Sequence, residues 1–252
     1  CALPICCNFQ CRGFGSVPLP EVKVERLTEF PVLESGCDTE YAWNPAYRHL
    51  LEELTADEIC DRLEALVPSF QHPYSGQATH LVVTGGEPML SQTALVAVLD
   101  ALAARDNLPN YITIETNGTQ EPRQDLADRI SRYEGYGSRE WFWSVSPKLT
   151  ISGEAWDAAI RPEVVAAYRM LSNAGQLKFV VDGSGAAWDE VTHARNAFRT
   201  VGVDWDATSM PLGATRARLE ETQAAICEAA LTRGYHFSAR LHAWLFDNTP
   251  GT

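Results

Sequence analysis

His80-Leu81-Val82-Val83-Thr84-Gly85-Gly86-Glu87-Pro88 is a short apolar run that breaks at paired glycines. It reads as a strand ending in a turn whose backbone a ligand can approach closely, because glycine has no side chain and tolerates unusual dihedrals. Runs of the same kind recur at 2–6, 80–84, 111–115, 141–145, 177–181, 207–210 and 236–242, and segments of helical period separate them. Thr55-Ala56-Asp57-Glu58 is a capping box ahead of Ile59, Leu63 and Leu66, a helix start with its apolar face written out. Leu95, Val98, Leu99 and Leu102 repeat at core spacing, and Pro162 opens a helix carrying Val164, Val165, Tyr168 and Leu171. A last long helix over 214–233 stops at Gly234. Strands alternating with helices predict an α/β fold with a parallel sheet of βα units.

The chain has 252 residues, 45% of them hydrophobic, enough for one substantial core and an expected single domain over 1–252. No apolar run reaches the roughly 18 residues of a membrane span, and the start lacks the basic and apolar regions of a signal peptide. The start at Cys1, inside the expected first strand, reads as that of a fragment or trimmed product. Seven unevenly spaced cysteines do not make a secreted disulfide framework, which points to a reducing cytoplasm. A net charge of −13 argues against a nucleic-acid surface. Of three lysines, Lys148 and Lys178 fall in strand-end motifs, unusual for a residue that normally decorates surfaces.

Two cysteine-bearing stretches carry the chemistry: Cys7-Asn8-Phe9-Gln10-Cys11 and Gly36-Cys37-Asp38-Thr39. Thiolates suit iron–sulfur clusters and zinc alike. A zinc site has little support, because there is no Cys-x2-Cys pair and no histidine before His49. Cys60 and Cys227 lie in helical patterns beside apolar residues and read as small core residues. Cys6 adjoins Cys7, but only Cys7 is followed by the Asn-Phe-x-Cys word.

Together with Thr84-Gly85-Gly86-Glu87-Pro88, these words resemble the radical S-adenosylmethionine enzymes, and among them the 7-carboxy-7-deazaguanine synthases. The resemblance runs from Cys7 to the tail after His242, and the closing Arg240-Leu241-His242 favours the deazaguanine branch. It departs from the usual Cys-x3-Cys-x2-Cys loop through a long insertion at 12–36. The family's upstream Gln-Gly-Glu-Gly-type segment has no match, and Leu3 stands where an arginine is usual.

The resemblance implies a partial (β/α)6 barrel with its site at the C-terminal ends of the strands, where β/α barrels keep their chemistry. It implies that Cys7, Cys11 and Cys37 hold a 4Fe-4S cluster whose fourth iron is open to S-adenosylmethionine, and that Thr39 holds Mg2+. The cofactor-binding positions carried over are Asp38, Gly85, Gly86, Glu87, Glu115, Asn117, Ser146, Pro147, Lys148, Met210, Pro211 and Gly213. Thr84, Arg240 and His242 are the substrate positions. On a 236–242 strand, Arg240 and His242 would share a polar face with His236 and Ser238. The other five histidines read as structural or solvated.

The implied reaction converts 6-carboxy-5,6,7,8-tetrahydropterin to 7-carboxy-7-deazaguanine by radical ring contraction with loss of ammonia, with S-adenosylmethionine regenerated. The implied partners are that pterin, an electron donor such as flavodoxin or ferredoxin, and a second copy of the chain. Two alternatives stand beside this reading. One is a radical S-adenosylmethionine activase or other enzyme with a different substrate; the other is a non-catalytic module binding zinc or a cluster. Both Glu115-Thr116-Asn117-Gly118 and Ser146-Pro147-Lys148 also suit plain turns.

Overall fold

The computed structural model describes residues 7–15, 23–30, 37, 39–135, 137–213, 215–247 and 249. Among them is an all-parallel sheet in the order β1 to β6: β1 (His80–Val83), β2 (Tyr111–Thr116), β3 (Glu140–Val145), β4 (Gly175–Val181), β5 (Asp206–Pro211) and β6 (His236–Phe237). The helices between the strands are α1 (Ala56–Leu66), α2 (Gln92–Ala104), α3 (Gln124–Glu134), the short α4 (Trp156–Ala159), α5 (Pro162–Leu171), α6 (Gly185–Thr200) and α7 (Arg216–Thr232), and α8 (Leu241–Phe246) follows β6. Sequential order with parallel neighbours is what βα units produce when each crossover has the same hand. The fold is α/β, as expected, and this sheet is consistent with a partial barrel of the radical S-adenosylmethionine type.

Side chains on the two faces of each strand part company by burial. Leu81, Val83, Ile112, Ile114, Trp141, Trp143, Leu177, Phe179 and Val181 enter one core with Leu95, Val98, Leu99, Leu102, Val164, Val165 and Tyr168 from the helices. Trp143 stacks on Tyr168 with ring centroids 4.3 Å apart. The alternate residues Thr113, Glu115, Phe142, Gln176 and Lys178 are only half-buried, although Ser144 is buried, so the second face is more polar and less closely covered than the first.

The helix signals are realised locally. Thr55 accepts from the Glu58 N–H, and the Glu58 carboxylate accepts in return from the Thr55 backbone. Pro162 is the first residue of α5. Leu66, expected on the buried face of α1, is instead exposed, since the helix ends there and Val67 leaves it. Cys60 is fully buried, whereas Cys227, expected in the core, is half-buried on α7. The expected first strand at 2–6 lies outside the described residues.

The expected strand over 236–242 is corrected. β6 pairs only His236 with Thr208 and Phe237 with Ser209, and the chain then turns into α8. Pro211 at the end of β5 has no N–H to donate to a longer partner, and Leu-His-Ala-Trp-Leu is a helix-compatible run. Arg240 and His242 therefore do not share a strand face. Arg240 is buried at the N-cap of α8, and His242 is exposed in its first turn.

Candidate functional site

Residues 7–15 form a loop that crosses the C-terminal ends of β2 and β3. At one end, Asn8 donates to Thr119 Oγ1 at 3.0 Å and accepts from Asn117 Nδ2 at 2.9 Å. Further on, the backbone N–H groups of Gln10 and Cys11 both donate to Glu154 Oε1, at 3.0 and 2.8 Å. Gly13 then lies directly on the 151–153 backbone, where a Cβ would stand 2.3 Å from the Ile151 oxygen and 2.4 Å from the Gly153 nitrogen. Backbone cannot swing aside as a flexible side chain can. Gly13→Ala is therefore expected to cost about 1–3 kcal/mol, the usual penalty of overpacking, and to loosen residues 7–15. Thermal melting and limited proteolysis read this, and an unchanged cleavage pattern would contradict it.

The loop brings the three cysteines into one cluster with Phe9, Phe14 and Ala159. Cys11 is buried, and its thiol hydrogen-bonds with Cys37. Burial pushes the Cys7 thiol up to about 11 against the pull of a hydrogen bond from the Phe9 backbone; the negative groups of Glu87 and Cys37 add to the rise and the Lys148 ammonium opposes it slightly. The Cys11 thiol is also raised, by its hydrogen bond with Cys37 and then by burial, and Lys148 again opposes the rise. Cys37 Sγ lies 3.4 Å from Thr39 Oγ1. Asp38, expected among the cofactor positions, lies outside the described residues.

Gly85 adopts φ 129°, a value suited to glycine, and Gly85 and Gly86 stay partly exposed where β1 ends. Glu87 behaves differently. It is fully buried, and its carboxylate accepts from Thr116 Oγ1 at 2.7 Å, the Asn117 N–H at 2.7 Å and the Met89 N–H at 3.0 Å. Its oxygens are thus committed to the protein, and what Glu87 positions is Asn117, which in turn holds Asn8 and the cysteine loop.

Beside the loop, the half-buried face of the sheet carries a chain of polar contacts. Thr84 donates to Glu115 at 3.0 Å, and Lys178 Nζ lies 3.2 Å from the other Glu115 oxygen. Gln176 donates to Ser144 at 3.1 Å and accepts from Thr208 at 2.9 Å. Ser146 is tied through its backbone to the Thr116 carbonyl, and Leu212 to the Val181 carbonyl, so the Ser146-Pro147-Lys148 and Met210-Pro211-Leu212-Gly213 segments sit at the same ends of the strands. Gly213 has φ 150°.

The structure therefore brings Cys7, Cys11 and Cys37 into one cluster with Lys148 near enough to act on the Cys7 and Cys11 thiols, ties Asn117 to both Glu87 and Asn8 of the loop, and pairs Thr84 with Glu115. Sequence reasoning did not single out Asn8, Glu154, Gln176 or Thr208. Lys178 had a signal, a lysine inside a strand; Glu154 had none, because its partners are more than 140 positions away.

No family model matches the chain. Curated relatives do. It is 34% identical over 241 residues to the 7-carboxy-7-deazaguanine synthase of Halobacterium salinarum, covering 88% of this chain and 84% of that one. It is 30% identical to the synthase of the same name from Rhodopirellula baltica, covering 86% and 75%, and 27% identical to that of Pyrobaculum aerophilum, covering 90% and 86%. On this similarity the chain belongs to the 7-carboxy-7-deazaguanine synthase family.

Proposed function

We propose that this protein is a carbon–nitrogen lyase that converts 6-carboxy-5,6,7,8-tetrahydropterin to 7-carboxy-7-deazaguanine. The observation that carries the reading is the convergence of the Cys7, Cys11 and Cys37 side chains beside the turn after β1, in a member of this family. The donor set fits an iron–sulfur cluster: it is all thiol, and a nearby ammonium favours the thiolates. Among the described residues, no three His, Cys, Asp or Glu side chains gather closely enough around one point to hold a single metal ion.

When bound, the cluster and S-adenosylmethionine supply a radical able to take a hydrogen atom from the substrate. The chain's part is to bind, orient and exclude water. In this reading, Cys7, Cys11 and Cys37 hold the cluster, and Gly85 and Gly86 present backbone to the amino group of S-adenosylmethionine. Asp38, Glu115, Asn117, Ser146, Pro147, Lys148, Met210, Pro211 and Gly213 border the rest of that cofactor, and Glu87 holds Asn117 in place for it. Thr39 serves Mg2+ at the substrate carboxylate. Thr84, Arg240 and His242 contact the pterin, the last two from the start of α8 rather than from a strand.

The substrate becomes product plus ammonia with every atom accounted for, so the hydrogen taken at the start can return at the end. The electron donor is a flavodoxin or ferredoxin, and the chain works in the cytoplasm as one domain and as a homodimer. No helix among the described residues is long and apolar enough to cross a membrane.

The test is anaerobic incubation of the reconstituted protein with the tetrahydropterin, S-adenosylmethionine, a reductant and Mg2+, followed by mass spectrometry. A deazapurine carboxylate is the expected product. Cleavage of S-adenosylmethionine without it would point to an enzyme of the same superfamily acting on another substrate.

A further inference from the structure

We propose that Glu154 is a positioning residue that fixes the conformation of Cys11 and lowers the reduction potential of the centre its loop carries. This rests on the reading of that loop as the seat of an iron–sulfur cluster.

Cys11 sits at φ 48° and ψ 43°, in the left-handed region, where a residue with a side chain is strained by about 1–3 kcal/mol and persists only if its surroundings hold it. What holds it is visible. A single carboxylate oxygen, Glu154 Oε1, accepts the backbone N–H of Cys11 at 2.8 Å and that of Gln10 at 3.0 Å. Glu154 is itself presented by the turn after Leu149, whose carbonyl accepts from Ser152 Oγ; that same hydroxyl accepts the Glu154 N–H at 3.3 Å. The turn continues from Ser146-Pro147-Lys148, and Gly153 meets Gly13 in the same place. One segment thus carries Lys148 toward the thiols and anchors the backbone of the middle cysteine.

Two consequences separate from one another. The first is geometric and needs only an acceptor at Oε1. Without it, two N–H groups lose their partner and Cys11 is free to leave the left-handed region. The second is electrostatic and needs the charge. A carboxylate hydrogen-bonded to the ligand backbone disfavours adding an electron to the cluster, because potential follows net charge and hydrogen bonding around the sulfurs.

The experiment uses the full chain, reconstituted anaerobically as wild type, Glu154→Gln and Glu154→Ala. Iron and sulfide per chain, a redox titration followed by electron paramagnetic resonance, and circular-dichroism melting are measured on each. Glu154→Ala is expected to weaken cluster retention by about 10- to 100-fold, the usual effect of removing an outer-sphere partner. Glu154→Gln keeps the acceptor, so it should retain wild-type iron and melting while its midpoint potential moves positive. A role in stability alone would not move that potential. Wild-type iron in Glu154→Ala, or an unshifted potential in Glu154→Gln, would overturn the inference while leaving the function standing. A wild-type chain that takes up no cluster would overturn both.

Discussion

Cys11→Ser is expected to lose the iron–sulfur cluster and with it at least about a thousandfold of product formation, equivalent to about 4 kcal/mol of barrier. Serine matches the shape of cysteine but offers a hard oxygen where iron in such clusters takes soft thiolate. The fold should survive the change, because Cys11 packs in a small satellite cluster with Phe9 and Ala159 and not in the main core. Cys60→Ser is the control. Cys60 is fully buried in the main core under α1, with its thiol directed at the Val98 carbonyl at 3.8 Å, so a hydroxyl there should keep both cluster and product. Iron content, visible absorbance and mass-spectrometric product assay read the pair. Full activity in Cys11→Ser would remove the centre on which the proposed reaction depends.

The sequence made the scaffold legible because its signals are local. Alternation on β2 and β4 and the capping box at Thr55 each act over a few residues, and β1 to β5 lie where their apolar runs placed them. The site was legible where chemistry is written as adjacent words, as in Cys7-Asn8-Phe9-Gln10-Cys11 or Thr84-Gly85-Gly86-Glu87. It was illegible where residues meet through the fold. Nothing near Glu154 points to Gln10 and Cys11, and Gln176 finds Ser144 and Thr208 only through the strand register. The miss at 236–242 is of another kind. Period-two alternation was present, but a strand needs a partner with donors to offer, and β5 ends at Pro211. Glu87 shows a third case: its word was recognised, yet only its burial and three donors show that the side chain serves the protein.

Glu87→Ala is expected to destabilise the protein by about 2–6 kcal/mol, since each of two buried donors left without an acceptor costs about 1–3 kcal/mol and the Thr116 hydroxyl can turn elsewhere. The Asn117 and Met89 N–H groups have no such freedom. The damage should spread toward the site, because Asn117 would lose the contact that orients it against Asn8, so faster proteolysis within 7–15 should accompany the shift in urea midpoint. The pH dependence gives an independent check. Burial lifts the Glu87 carboxyl above its ordinary value, against the pull of its three hydrogen bonds. A folded-state value above the unfolded one means that the native chain binds the proton more tightly. That contribution is full below the unfolded value and is lost as pH rises through the folded one. Wild type should therefore lose stability relative to Glu87→Gln across that window, measured by urea unfolding at a series of pH values. A parallel pair of curves would show that the carboxyl titrates as it does in the unfolded chain. A loss below about 1 kcal/mol in Glu87→Ala, within the range of an ordinary substitution, would show that the strand-end network closes without it.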